Sequence, residues 1–135
     1  ITLIEKCVTD NPSNHTFYLK RSYHQYDEGV SSLCEPWFDY ETIDVDTIRM
    51  DQFLHDQTVD LLWIDVQGAE CQVINSFGSK LNQVDTIYAE VNIKPNYITY
   101  SNDKTLISLL RNFTIVDQLQ LNPNEIHFIL RRNLT

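Results

Sequence analysis

Glycine is scarce in this chain. Gly29, Gly68 and Gly78 are the only three among 135 residues, so no glycine-rich turn for cradling a phosphate or a cofactor can be written. Basic side chains are few as well: 10 Lys and Arg stand against 19 Asp and Glu, for a net charge of -9. That balance works against nucleic-acid backbones and anionic membrane surfaces as partners. No apolar run reaches the ~18 residues of a transmembrane helix, and no signal peptide is visible. The cysteines Cys7, Cys34 and Cys71 are widely spaced and fit neither a zinc pattern nor a disulfide framework. A reducing, cytoplasmic compartment is the simplest setting for them. His15, His24, His55 and His127 lack metal-ligand spacing, and no serine elbow, P-loop or zinc helix is present.

What remains fits one α/β domain with a real core. Ile1 to Thr9 and Thr16 to Lys20 read as strands, and residues 21–40 as a long polar and aromatic loop. His24, between Tyr23 and Tyr26, and the aromatic group Trp37, Phe38 and Tyr40 belong to that loop. Thr42 to Ile48 alternates like a strand with one wet face. Asp60 to Asp65 and Asp85 to Val91 have nearly continuous apolar centres, which predicts strands covered on both faces. Between them Ala69, Val73, Ile74 and Phe77 make a helical stripe, ended by Gly78 in a cap position. Strand, helix and strand with short joints predict a crossover with parallel strands. A second helix is expected over 103–112, capped by Ser101, Asn102 or Asp103, with Leu106, Ile107, Leu110 and Phe113 inward. Thr114 to Leu121 and Glu125 to Arg132 follow as an antiparallel pair.

The most informative stretch runs from Asp60 to Glu70. An apolar strand stops on Asp65, turns through Gly68 and opens a helix carrying Glu70. Ligands of open parallel sheets bind outside the carboxyl ends of the strands, so Asp65 stands at the lip of such a crevice. Glu90 ends the neighbouring strand, and two acids at adjacent strand ends share either a proton or a cation. Asn92 adds an amide oxygen nearby. Asp65 has a duller role open to it, as a cap for the helix, and Glu70 has one as a dipole-stabilised acid in the first helical turn.

Asp65-Val66-Gln67-Gly68-Ala69-Glu70 after an apolar strand resembles the hallmark of FkbM-type methyltransferases, which use S-adenosylmethionine to methylate hydroxyl groups. Thr47 to Leu54 resembles the family's preceding strand and acidic turn, with Met50 in place of the usual leucine. Ile87 to Val91 is similar to the next core strand, and Glu125 to Arg132 to the closing one. The resemblance implies a Rossmann-like class I methyltransferase sheet, mostly parallel, with an antiparallel C-terminal strand pair. It covers the later half of the domain. With Ile1 in place of methionine and no glycine turn, residues 1–135 are expected to be a partial methyltransferase domain whose first two strands lie upstream. The first strand, deprived of those neighbours, is expected to rearrange or be poorly ordered.

By the same resemblance, Asp65 lies near the transferred methyl, where it orients or deprotonates the acceptor, and Glu90 and Glu70 are further catalytic candidates. Cys7, Val8 and Thr9 border the adenine of S-adenosylmethionine, with Asp10 as a partner for its amino group and Asp65 closing the cofactor site. Asp10 as an ordinary turn-opening residue is the alternative. No metal is assigned, because the resemblance does not require one. The acceptor is expected to be a small-molecule or glycan hydroxyl. Two rival readings are a non-catalytic interaction module on a worn methyltransferase scaffold and another Rossmann-like enzyme, such as a nicotinamide-dependent one. About 100 residues of upstream sequence would separate the three. Residues 1–135 alone are expected to bind S-adenosylmethionine weakly. Micromolar affinity in a calorimetric titration would contradict that expectation.

Overall fold

The computed structural model describes residues 2–21, 28–93 and 97–134. In chain order the elements are β1 (Cys7–Val8), β2 (His15–Lys20), β3 (Tyr40–Val45), β4 (Thr47–Ile48), α1 (Met50–Phe53), β5 (Val59–Ile64), α2 (Glu70–Ser76), β6 (Val84–Asn92), α3 (Asp103–Leu109), β7 (Phe113–Asn122) and β8 (Glu125–Arg132). The largest sheet has the order β5-β6-β8-β7. β5 and β6 are parallel, as the crossover through α2 requires, and register Trp63 with Tyr88 and Ile64 with Ala89. The link Pro123-Asn124 is too short for anything but an antiparallel return, and β7 and β8 pair that way.

Two smaller ladders stand apart, β1 with β4 in parallel and β2 with β3 antiparallel. The architecture is therefore α/β with mixed sheets, and the largest of them joins a parallel pair to the antiparallel C-terminal pair. The single strand read over Thr42 to Ile48 is broken at Asp46, whose carbonyl accepts the Cys7 N–H at 2.9 Å. The break lets one stretch of chain serve both ladders. The first strand is also shorter than read: only Cys7 and Val8 find ladder partners, and Leu3 before them is 80% exposed. Unpaired backbone gains nothing by staying extended beside the sheet.

Helices α2 and α3 cover one face of the large sheet. Val73, Ile74, Phe77, Leu106 and Leu110 pack there on Ile64, Ile87, Ala89, Val91, Phe128 and Leu130, all buried. Gly78 ends α2 with a left-handed φ of +49°. The Asn102 side chain caps α3 by accepting the Thr105 N–H at 2.9 Å. The opposite face is open, with Leu61, Trp63 and Leu119 more than half exposed. Burial on both faces was the expectation for β5, and it fails for a physical reason. In Leu61-Leu62-Trp63-Ile64 both alternating sets are apolar, so the pattern cannot tell a covered face from an open one.

In the long segment before β3, Ser32 bridges to Tyr18, and Phe38 packs edge-on against Tyr97 at 6.2 Å. Trp37 is 69% exposed. Tyr23, His24 and Tyr26 lie outside the described residues. No helix among the described residues is long and apolar enough to cross a membrane.

Leu106 is fully buried at the centre of this packing. Leu106→Ala should cost about 2–5 kcal/mol of stability, seen as a lower urea midpoint with an unchanged slope. An unmoved midpoint would contradict the packing.

Candidate active site

The site forms where β5 runs out. Ile64 is paired with Ala89, so Asp65, just past the end of β5, stands beside Glu90, which does not end its strand as expected but lies two residues before the end of β6. Like charges side by side are unfavourable. Gln67 relieves this: its side-chain NH2 donates to Asp65 Oδ1 at 2.9 Å and to Glu90 Oε1 at 3.3 Å.

Gln67 reaches both because its backbone is left-handed, with φ +52°. A non-glycine residue holds that conformation only where its surroundings enforce it, at a cost of roughly 1–3 kcal/mol. Here the Ser32 hydroxyl donates to the Gln67 carbonyl at 2.7 Å. The Tyr97 hydroxyl reaches Gln67 Oε1 at 3.4 Å. Gly68 follows with φ +102°, and a Cβ there would stand 3.2 Å from both Tyr97 and Tyr100 side-chain atoms. Glycine is needed for conformation and for space.

Glu70 closes the turn from within. Its Oε1 accepts the Gly68 N–H at 2.9 Å, and the residue is fully buried. Its Oε2 has no hydrogen-bond partner among the described residues. Burial pushes the carboxyl up to about 7, and the Asp65 charge acts in the same direction. The Glu90 carboxyl is raised too, first by burial and then by the Asp65 and Glu125 charges. Asp65 itself is exposed and does not cap α2, whose N-cap is Ala69 with no side-chain hydrogen bond.

A cavity of about 470 Å³ lies between β1, β5 and α2, with Cys7, Val8, Ile64, Asp65, Val73 and Phe77 in its wall. Three of the four cofactor candidates thus face one space. Asp10 is not in that wall; it accepts the Asn75 side-chain N–H at 3.3 Å, and its carbonyl takes a hydrogen bond from Arg49. Asn92 is buried and registers with Glu125.

The sequence profile of the methyltransferase FkbM domain matches residues 2–127. The chain belongs to the FkbM methyltransferase family. It is 33% identical over 79 residues to the 2-O-methyltransferase NoeI of Sinorhizobium fredii, a match covering 56% of this chain and 32% of that protein. The chain therefore spans about a third of the length of that curated relative. No solved structure matches it.

Three side chains of this FkbM domain, Gln67, Glu125 and His127, carry no assigned role in the sequence reading. Gln67 ties the two acids together. His127 belongs to the last strand. It is buried on β8 directly opposite Glu90, with its Nε2 2.5 Å from Glu125 Oε1 and 3.8 Å from Glu90 Oε2. The spacing Glu125-x-His127 puts both on one face of a strand, the one signal available beforehand.

Glu70 also sets a pH dependence. A carboxyl that holds its proton more tightly folded than unfolded contributes stability that is full below pH 4.5 and lost as pH rises through 7. Across that window the chain should lose roughly 3 kcal/mol relative to Glu70→Gln. Denaturant midpoints measured for both proteins check this, and identical pH slopes would refute it.

Proposed function

We propose that the chain is the later part of an S-adenosylmethionine-dependent O-methyltransferase acting, as the complete protein, on a hydroxyl of a small molecule or glycan. The β5-α2-β6 unit then belongs to a Rossmann-like sheet. One observation carries the reading. Asp65 and Glu90 share the Gln67 amide at one rim, and Asp65 also borders the cavity that Cys7 and Val8 line. The FkbM relationship supplies the reaction class, and the similarity to a protein named as a 2-O-methyltransferase supports a hydroxyl acceptor. Three free thiols agree with a cytoplasmic setting.

Bound S-adenosylmethionine supplies a methyl already activated on a sulfonium sulfur. The protein's part is alignment, exclusion of water and at most one base. In this reading the Cys7 and Val8 side of the cavity would take the adenine, and Asp10, outside that wall, would have to leave Asn75 to serve its amino group. Asp65 would accept a hydrogen bond from the acceptor hydroxyl, direct an oxygen lone pair at the methyl and receive the proton as the O–C bond forms and the S–C bond breaks, with S-adenosylhomocysteine as the leaving group. Glu90 walls the acceptor side and holds the other end of the Gln67 amide. Glu70, sealed from solvent, is a positioning residue that fixes the turn through the Gly68 N–H.

In the complete protein, Asp65→Asn should lower turnover by about 10²–10⁴-fold, well beyond any loss of cofactor affinity. Transfer of labelled methyl to a panel of sugars and small alcohols, with calorimetry for cofactor binding, measures both. Wild-type turnover by the variant would remove Asp65 from the chemistry.

A further inference from the structure

On the open face of the large sheet, Glu90 converges with two further side chains. Glu90 on β6 registers with His127 on β8, and Glu125 lies two residues before His127 on the same face. One ligand atom from each, the Nε2 of His127 and an oxygen of each glutamate, lies within 4.8 Å of the others. The histidine side chain is 9% exposed, and the glutamates are 19% and 23% exposed, so the gap between them is sheltered yet reachable.

The rear atoms of all three are already held by neutral polar groups. The Tyr88 hydroxyl contacts His127 Nδ1, leaving Nε2 to face the gap. The Gln67 amide donates to Glu90 Oε1, and it is Oε2 that faces His127. The Asn122 amide donates to Glu125 Oε2 at 3.4 Å, and it is Oε1 that faces His127. Outer partners that fix the tautomer of an imidazole and aim carboxylates inward are the support a metal site needs. Lone pairs converging in this way need a shared donor or a cation between them. The imidazole N–H is such a donor, and a metal ion would take its place.

We infer that Glu90, Glu125 and His127 form a binding site for a divalent first-row transition ion, with open positions toward solvent. One imidazole and two carboxylates make a mixed N/O donor set suited to Mn²⁺ or Zn²⁺. Donors bound to one ion at about 2.0–2.2 Å stand roughly 3 Å apart. The 2.5 Å contact between His127 and Glu125 is therefore a hydrogen bond, and loading turns the Glu125 carboxylate outward. Glu125 follows directly on the link joining β7 and β8, where such a rotation disturbs no core packing. The site shares Glu90 with the rim described above, but its occupancy does not depend on methyl transfer.

Titration of this chain with Mn²⁺, followed by loss of the free-ion electron paramagnetic resonance signal, and with Zn²⁺ by calorimetry, tests the inference. The expected result is one ion per chain at micromolar affinity. Tyr88→Phe should weaken binding roughly 10–100-fold, as loss of an outer partner does. Glu125→Gln should weaken it further, and His127→Ala should abolish it, while His15→Ala leaves it intact. Circular dichroism confirms that each variant is folded, and Glu125→Gln, on a partly exposed side chain, keeps the test decisive if His127→Ala unfolds. Failure of both ions to bind at millimolar concentration, or binding unaltered by Glu125→Gln in a folded protein, overturns the site.

Discussion

Two carboxylates brought side by side by adjacent parallel strands repel each other, and the site is organised around one neutral amide that makes their proximity tolerable. The parallel register of β5 and β6 brings Asp65 and Glu90 together, and Gln67 then donates to both. That donation requires the left-handed backbone at Gln67, which in turn rests on the Ser32 hydroxyl, the Gly68 turn and the buried Glu70 carboxyl. The segment before β3 is thereby tied to the strand end it lies against, because Ser32 belongs to it.

Glu70 is a motif acid that the fold seals from solvent. An acid with one oxygen unpartnered in the interior is costly to keep charged. In return it holds the Gly68 amide, and so the geometry of the whole turn, from a direction no solvent-exposed side chain can reach. A family motif read as one functional block therefore separates into different jobs. Asp65 is exposed at the rim, Gln67 bridges, Gly68 turns and Glu70 braces.

Local periodicity made much of the architecture legible. The α2 stripe, its Gly78 stop, the Asn102 cap, the crossover and the closing hairpin all depend on contacts within a few residues or on short links. The meeting of Asp65 and Glu90 was legible for the same reason, since the short crossover makes β5 and β6 parallel neighbours. The break at Asp46 was not, because a continuous alternation does not reveal that two ladders claim its halves. The open face of β5 was hidden by the unbroken apolar run Leu61-Leu62-Trp63-Ile64. The left-handed backbone of Gln67 has no signature in its residue type, and the grouping of Glu90 with His127 depends on a register set across strands far apart in sequence.

One feature of the open face gives the molecule a built-in optical probe. The Trp63 indole lies 4.2 Å from the Tyr88 ring, centroid to centroid, and the Tyr88 hydroxyl touches His127. Indole emission responds to the polarity and protonation of its neighbours. Because the chain has only one other tryptophan, the solvent-exposed Trp37, intrinsic fluorescence carries a distinguishable signal from the His127 neighbourhood without any label.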